Sequence, residues 1–416
     1  MNKIVFSGLE EYSPEDLFRR LPSPSYVIDE TQLECNGFCL LAVAERTGCK
    51  VLLAQKAFSN YNFYPLLEPY LAGTEASGLY EARLGKEEMG GKEVHVFCAA
   101  YREDEFDELL EYADHIVFNS PGQLKKLGER AKAQGKSIGL RVNPECSTQD
   151  GHDIYDPCAP GSRLGTTREQ WNQEMTEDLI SLLDGIHFHT LCEQNADALE
   201  VTMRAVEDKF GDILPRMKWV NLGGGHHITR HDYERSRLEE LLLSIKKKWD
   251  VQVYLEPGEA VVLNAGFLVS QVLEVALNAG YLVSRVLDIV KNGETQIAIL
   301  DASAACHMPD VLEMPYQPPI YNAAKQPDEG GQYQHRYRLA GPTCLAGDVI
   351  GDYYFPKELK AGDMVIFGDM AIYTTCKNNT FNGMPLPDIW SLGMKGRLEQ
   401  VTAFGYQDFK TRLGRK

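Results

Sequence analysis

From about Ser25 to Gly258, short apolar runs alternate with longer stretches of helical texture. The runs Val51–Ala54, Val94–Cys98, His115–Phe118, Ile138–Val142, Ile186–His189, Trp219–Leu222 and Val253–Leu255 carry few polar positions. That is the composition of parallel strands covered on both faces. Between them, Arg102–Ala113, Pro121–Gln134, Glu174–Leu183, Asp197–Phe210 and Asp232–Trp249 read as helices. Strand and helix alternating at this spacing predict an α/β domain over residues 26–260, with enough units to close a (β/α)8 TIM-type barrel. After Gly258 the texture changes to β-branched and aromatic runs separated by turns, including Gln296–Leu300, Gln334–Leu339 and Met364–Phe367. Residues 261–416, joined by residues 1–25, therefore predict a second, β-rich domain of sandwich or barrel-like form.

Within the second domain, Val261–Glu274 is followed at once by a near copy, Val275–Asp288, differing only by Val to Ala, Phe to Tyr, Gln to Arg and Glu to Asp. Four conservative differences identify a duplication. Fourteen residues are an even number and also about four helical turns, so strand or helix would keep its faces across the copy. One copy is expected at the start of the β-rich domain, and the other is expected to loop out, add an edge strand or pack at a subunit surface.

Length and charge narrow the function classes. A chain of 416 residues is long for one core, in agreement with two domains. The formal net charge of -18 argues against a nucleic-acid groove, which needs local positive charge, and suits a polycationic partner. The N-terminus, Met1–Phe6, lacks the apolar core of a signal peptide, and Val261–Val290 is interrupted by Asn264, Glu274, Arg285 and Asp288, so neither export nor a membrane span is expected. Ten cysteines without paired CxxC spacing read as reduced thiols, and a cytoplasmic location is the expectation.

Candidate chemistry gathers at the C-terminal ends of the apolar runs, where barrel active sites lie. Lys56 follows Val51–Ala54 and is the candidate covalent anchor of a cofactor; a solvated surface lysine is the plain alternative. Gly223-Gly224-Gly225 follows a strand and would let backbone N–H groups approach a phosphate without Cβ obstruction. Glu256, followed by Pro257 and Gly258, ends another strand where a carboxylate could pair with a protonated pyridine nitrogen, or simply form a salt bridge. Alternation places His187 and His189 on one face and Phe188 on the other, so His189 could lie flat on a cofactor ring.

Taken together, the opening segment Pro22–Asp29, Lys56, the Gly73–Ser77 motif with Glu75, the glycine triplet, Glu256 to Gly258, Gly341-Pro342-Thr343-Cys344, and Tyr373 with Phe381–Gly383 resemble the fold type III pyridoxal phosphate (PLP) dependent decarboxylases over nearly the whole chain. Lys56-Ala57-Phe58-Ser59, Tyr155–Gly165, His187–Glu193, Gly223–Thr229 and Met308–Pro315 resemble the branch acting on carboxynorspermidine and carboxyspermidine. The resemblance implies PLP as cofactor, held by Lys56, Glu75, His189, Gly223, Gly224, Gly225, Glu256, Gly258 and Tyr373. It also implies catalysis by Lys56, Glu256, His189 and Cys344, with Cys344 reaching the site of the neighbouring subunit in a homodimer. Glu259 stands where ornithine decarboxylases place a phosphate-binding arginine, and it is a candidate, with Asp310, Glu313 and Asp348, for the amine end of a small cationic polyamine-type substrate. Arg163 is either a carboxylate contact or a structural ion pair.

Two alternatives have different substrates or chemistry. A decarboxylase of diaminopimelate, ornithine or arginine would share the fold. A metal-dependent barrel hydrolase would use His187, His189, Cys192, His226, His227 and the Asp150–Asp153 cluster as ligands, but it would leave Lys56 and the glycines without a role. No metal is expected in the decarboxylase reading.

Overall fold

The computed structural model describes residues 25–148, 156–160, 162–269, 282–292, 295–328, 330–343, 345–393 and 397–413. Two compact units result, one spanning Cys35–Val261 and the other combining Val262–Lys416 with the segment ending at Glu34. Strand β1 (Ser25–Asp29) belongs to the second of these and precedes the barrel.

The first unit is a closed barrel of eight parallel strands in sequence order: β2 (Lys50–Ala54), β3 (Gly73–Ala76), β4 (Glu93–Phe97), β5 (His115–Phe118), β6 (Ser137–Arg141), β7 (Gly185–His187), β8 (Trp219–Asn221) and β9 (Gln252–Leu255). The pattern of apolar runs anticipates seven of them; Gly73-Thr74-Glu75-Ala76 is too polar to read as a strand. It is buried all the same. A Cβ on Gly73 would meet the Glu93 carbonyl oxygen at 1.9 Å, so the close β3–β4 approach excludes a side chain there.

Inside the barrel one large residue sets the composition of its neighbours. Trp219 is buried, and a Cβ on Gly139 or Gly185 would come within 2.3 Å or 2.1 Å of its ring. Those glycines leave the volume that the indole fills, and the indole nitrogen donates to Ser137 Oγ at 2.9 Å. Leu52, Val117 and Tyr254 complete this cluster.

Around the barrel most helices are shorter than their sequence patterns, Ala196–Phe210 excepted. The stretch expected as one helix over Glu174–Leu183 becomes Arg168–Glu174 and Glu177–Leu182. Each starts at a threonine cap, Thr167 accepting from Gln170 N–H and Thr176 from Leu179 N–H, so two caps outcompete one continuous helix.

The second unit contains two sheets. In one, β10 (Gly266–Val269) pairs antiparallel with β1, which runs parallel to β16 (Asp388–Gly393), and β17 (Arg397–Thr402) closes the edge. The other has the order β14 (Val349–Phe355), β13 (His335–Ala340), β12 (Thr295–Leu300), β11 (Leu282–Asn292), β15 (Met364–Phe367). The duplication is thus shared between the sheets. The first copy supplies β10 to β1, and the second supplies β11 to both β12 and β15. Residues 270–281, which join them, lie outside the described residues. No described helix is long and apolar enough to cross a membrane.

Candidate active site

Lys56 sits in a tight turn directly after β2, closed by Ala57 N–H to Ala54 O at 3.1 Å and Phe58 N–H to Gln55 O at 3.0 Å. The buried Gln55 fixes the turn, donating to Glu81 O at 2.8 Å and accepting from Tyr64 Oη at 3.0 Å. Gly258 lies against it, where a Cβ would come within 2.6 Å of Ala57 Cβ. The lysine is therefore held at the C-terminal mouth by a rigid turn that only a glycine-sized neighbour permits.

Two carboxyl groups in the barrel take opposite protonation states. Glu256 accepts from Asn221 Nδ2 at 2.5 Å and lies 3.0 Å from His187 Nε2. Burial favours its neutral form, but His187 and Lys56 outweigh burial and hold it below the usual carboxylate range. His187 is itself kept neutral by burial against the pull of Glu256. Glu75 is pushed up to about 8 by burial, only partly offset by Lys56 and reinforced by Glu256. Its Oε2 is a buried oxygen with no hydrogen-bond partner among the described residues. Arg141, on β6, is buried as well, lies 4.5 Å from the Phe97 ring centroid and donates to His189 O at 2.9 Å.

The glycine turn is tied to the protein as well as open. Gly223 N–H donates to Asn221 Oδ1 and Gly224 N–H to His189 Nδ1, both at 2.9 Å. A Cβ on Gly224 or Gly225 would strike the Glu256 or Leu191 carbonyl at 2.1 or 1.9 Å. These glycines are required by protein packing irrespective of any phosphate. By accepting from Gly224, Nδ1 of His189 is fixed as the acceptor nitrogen, and burial with Lys56 and Arg141 nearby keeps the ring neutral.

At the rim lies an acidic group that sequence reasoning identified only in part. Glu259 Oε2 is 3.1 Å from His227 Nε2, at ion-pair distance but without hydrogen-bond alignment. His227 is buried, yet Glu259 and Glu193 overcome the cost of burial and raise its pKa. Glu193, raised in turn by burial and Glu259, occupies left-handed backbone at φ 55°. Cys192 is within electrostatic reach of Glu193, Glu259 and Lys56, which links the acidic group to the lysine. The signal was present in His187–Glu193 and Gly223–Thr229, but the meeting of the two segments needed the fold.

Of the remaining candidates, Asp310, Glu313, Asp348 and Tyr373 belong to the second unit, whereas Arg163 belongs to the barrel unit. Asp310 and Glu313 both bind Lys377, the latter at 3.1 Å. Asp348 accepts from Ser303 Oγ at 2.9 Å, Thr343 Oγ1 at 2.6 Å and Ala305 N–H at 3.2 Å, the arrangement of a local structural hub. Tyr373 adopts φ 55°, and the Lys377 ammonium is 5.2 Å from its ring centroid. Arg163 offers its backbone oxygen to Asn119 Nδ2 at 2.8 Å. Cys344 and the Asp150–Asp153 cluster fall outside the described residues. The ligand set expected of a hydrolase is not assembled among the described residues: His187 faces Glu256, His189 faces Gly224, and His226 Nδ1 lies 2.7 Å from Tyr233 Oη.

The donor set fits PLP. A lysine stands at a strand end, an ionised carboxylate is backed by a neutral histidine, a second carboxyl has an orphaned oxygen, and the adjacent turn has no side chains. Comparison with known proteins agrees. A family model described as "Pyridoxal-dependent decarboxylase, C-terminal sheet domain" matches residues 25–371. The carboxynorspermidine/carboxyspermidine decarboxylase of Campylobacter jejuni is 41% identical over 402 residues, covering 95% of this chain and 99% of that one. A carboxyaminopropylagmatine decarboxylase of Synechocystis is 39% identical over 395 residues, covering 95% and 96%. A crystal structure of the Campylobacter jejuni carboxynorspermidine decarboxylase complexed with norspermidine superposes with a TM-score of 0.81 at 40% identity, covering 94% of this chain and 100% of that one. A half-buried lysine facing two buried carboxyl groups at the mouth of an eight-stranded barrel, in a chain matched along almost its whole length, makes this protein a member of the pyridoxal-dependent decarboxylases, in the branch that contains the carboxynorspermidine/carboxyspermidine enzymes.

Proposed function

We propose that this enzyme decarboxylates carboxynorspermidine and carboxyspermidine to norspermidine and spermidine, as a cytoplasmic homodimer with shared active sites. The observation that carries the substrate is the acidic group of Glu193 and Glu259 around His227, in the neighbourhood of Lys56. Two carboxylates sharing one imidazole leave excess negative charge beside the reacting end. A secondary amine or ammonium, desolvated in the cleft, matches that excess through charge-assisted hydrogen bonds. A second amino-acid head such as that of diaminopimelate, which would bring a further carboxylate to this group, does not.

When bound, PLP supplies the conjugated ring that accepts the electron pair left as the α-carboxylate departs as carbon dioxide. The residues of this chain arrange that event. Lys56 would hold the cofactor covalently through its ε-amine. Glu256, kept ionised by His187 and oriented by Asn221, would keep the cofactor's ring nitrogen protonated. Glu75 remains protonated at neutral pH and offers a hydrogen bond without adding negative charge. His189, its orientation locked by Gly224, presents a flat neutral face. Cys344 returns a proton to Cα. Tyr373 contributes to holding the phosphate, and Asp310 and Glu313 to recognising the far amine.

The Synechocystis relative supports a second reading, in which the tail ends in a guanidinium. Carbon dioxide release should be measured from carboxynorspermidine, carboxyspermidine, carboxyaminopropylagmatine, meso-diaminopimelate, ornithine and arginine. The highest kcat/KM should fall on a carboxylated polyamine. A preference for carboxyaminopropylagmatine would move the assignment to the second reading, and one for diaminopimelate would remove both.

A further inference from the structure

At the other end of the barrel lies a group of ionisable side chains that decarboxylation does not use. Glu93 opens β4 and His115 opens β5, and these neighbouring strands pair His95 directly with His115. One ring nitrogen of each histidine and a carboxylate oxygen of Glu93 all lie within 4.8 Å of one another. His95 is 1% exposed, and its ring stacks on that of His115 at 3.8 Å. Nδ1 of each ring is buried without a hydrogen-bond partner among the described residues. An unsatisfied buried nitrogen is costly, and one in each of two stacked rings needs an explanation.

We propose that Glu93, His95 and His115 form a divalent transition-metal site of the zinc type at the N-terminal mouth of the barrel. Two imidazoles and one carboxylate suit zinc or cobalt, whereas magnesium and calcium prefer all-oxygen sets. Tetrahedral zinc with bonds of about 2.0 Å separates its ligands by about 3.3 Å, so binding requires the two imidazoles to rotate out of their parallel stack until their in-plane lone pairs converge with Glu93 on one point. Lys50 is the built-in competitor. Its ammonium contacts Glu93 Oε1 and lies 3.4 Å from Tyr254 Oη, but its side chain is 38% exposed and can turn to solvent. Bound metal would join β4 to β5 away from the turn that carries Lys56, one layer beneath the carboxyls, since His95 pairs in register with Glu75 and lies within electrostatic reach of Glu256; its role is structural.

The test titrates chelator-stripped holoenzyme with zinc and with cobalt, reading stoichiometry by elemental analysis, the cobalt ligand-field bands, and the melting temperature. The wild-type protein should take one metal per chain, show tetrahedral cobalt bands and melt higher when loaded. Glu93→Gln and His115→Asn should each weaken binding beyond the roughly 10–100-fold typical of outer-shell partners, while Glu93→Gln keeps its decarboxylase turnover. Lys50→Gln should bind more tightly than the wild type. Absence of stoichiometric binding by the wild-type protein, or undiminished affinity in both ligand variants, would overturn the site.

Discussion

Single side chains decide the chemistry, and three of them give direct tests. Lys56→Ala should abolish borohydride-dependent fixation of the cofactor to the protein together with turnover; persisting fixation would place the anchor on another lysine. Glu259→Gln keeps the shape of the rim but removes one charge. For a cationic substrate, KM should rise by roughly 10- to 100-fold, since hydrogen bonds to charged groups are worth roughly 1.5–3 kcal/mol, and an unchanged KM would remove Glu259 from recognition. His307 tests the β-rich unit. It is fully buried, accepting from Ser303 N–H at Nδ1 (3.3 Å) and donating from Nε2 to Pro385 O (2.9 Å), and burial lowers its pKa to about 4. Between pH 6.5 and about 4 the unfolded chain binds a proton that the folded protein excludes, so this residue's contribution is present above pH 6.5 and is lost as pH falls, by on the order of 3 kcal/mol. In His307→Gln the denaturation midpoint should depend less steeply on pH across that window. An equally steep dependence would show that His307 is not excluding a proton.

Elements succeed or fail on how they share volume and register. Because Trp219 fills the space over Gly185, Gly185→Ala should destabilise the barrel by roughly 1–3 kcal/mol through overpacking, and Trp219→Leu in the same chain should recover part of that loss. Additive losses in the denaturation series would mean the two residues do not compete for the same space. The duplicated segment is a question of register. Both copies are used, β10 from the first and β11 from the second, so neither is entirely spare. Deleting Val261–Glu274 brings Val275–Asp288, which differs at only four conservative positions, into line with Ala260. The shortened chain should bind PLP and melt no lower than the full one; an insoluble or cofactor-free product would show that β10 and β11 need the separate copies.

At the scale of the whole molecule, the proposed homodimer with shared sites predicts subunit complementation: mixing Lys56→Ala with Cys344→Ala proteins should restore activity, because each mixed dimer would contain one site with both residues intact. Activity that stays at the level of the parents after subunit exchange would place Cys344 within its own subunit's site. Much of this protein was legible in its sequence. Alternating apolar runs announce the barrel, and strand-end positions identify Lys56, Glu256 and the glycine turn, because chain connectivity alone delivers such residues to the same mouth. Other features depend on neighbours remote in sequence. Gly73–Ala76 is a strand because barrel closure buries even polar residues, and β1 joins the second unit because its edges pair with β10 and β16. Glu193 meets Glu259 and His227, and His95 stacks on His115, only through packing and register. Local pattern determined which elements form and which strand ends carry chemistry, since both follow from periodicity and order along the chain. Tertiary structure alone decided which charges face each other and which of them remain ionised, since burial and electrostatics depend on distance through space.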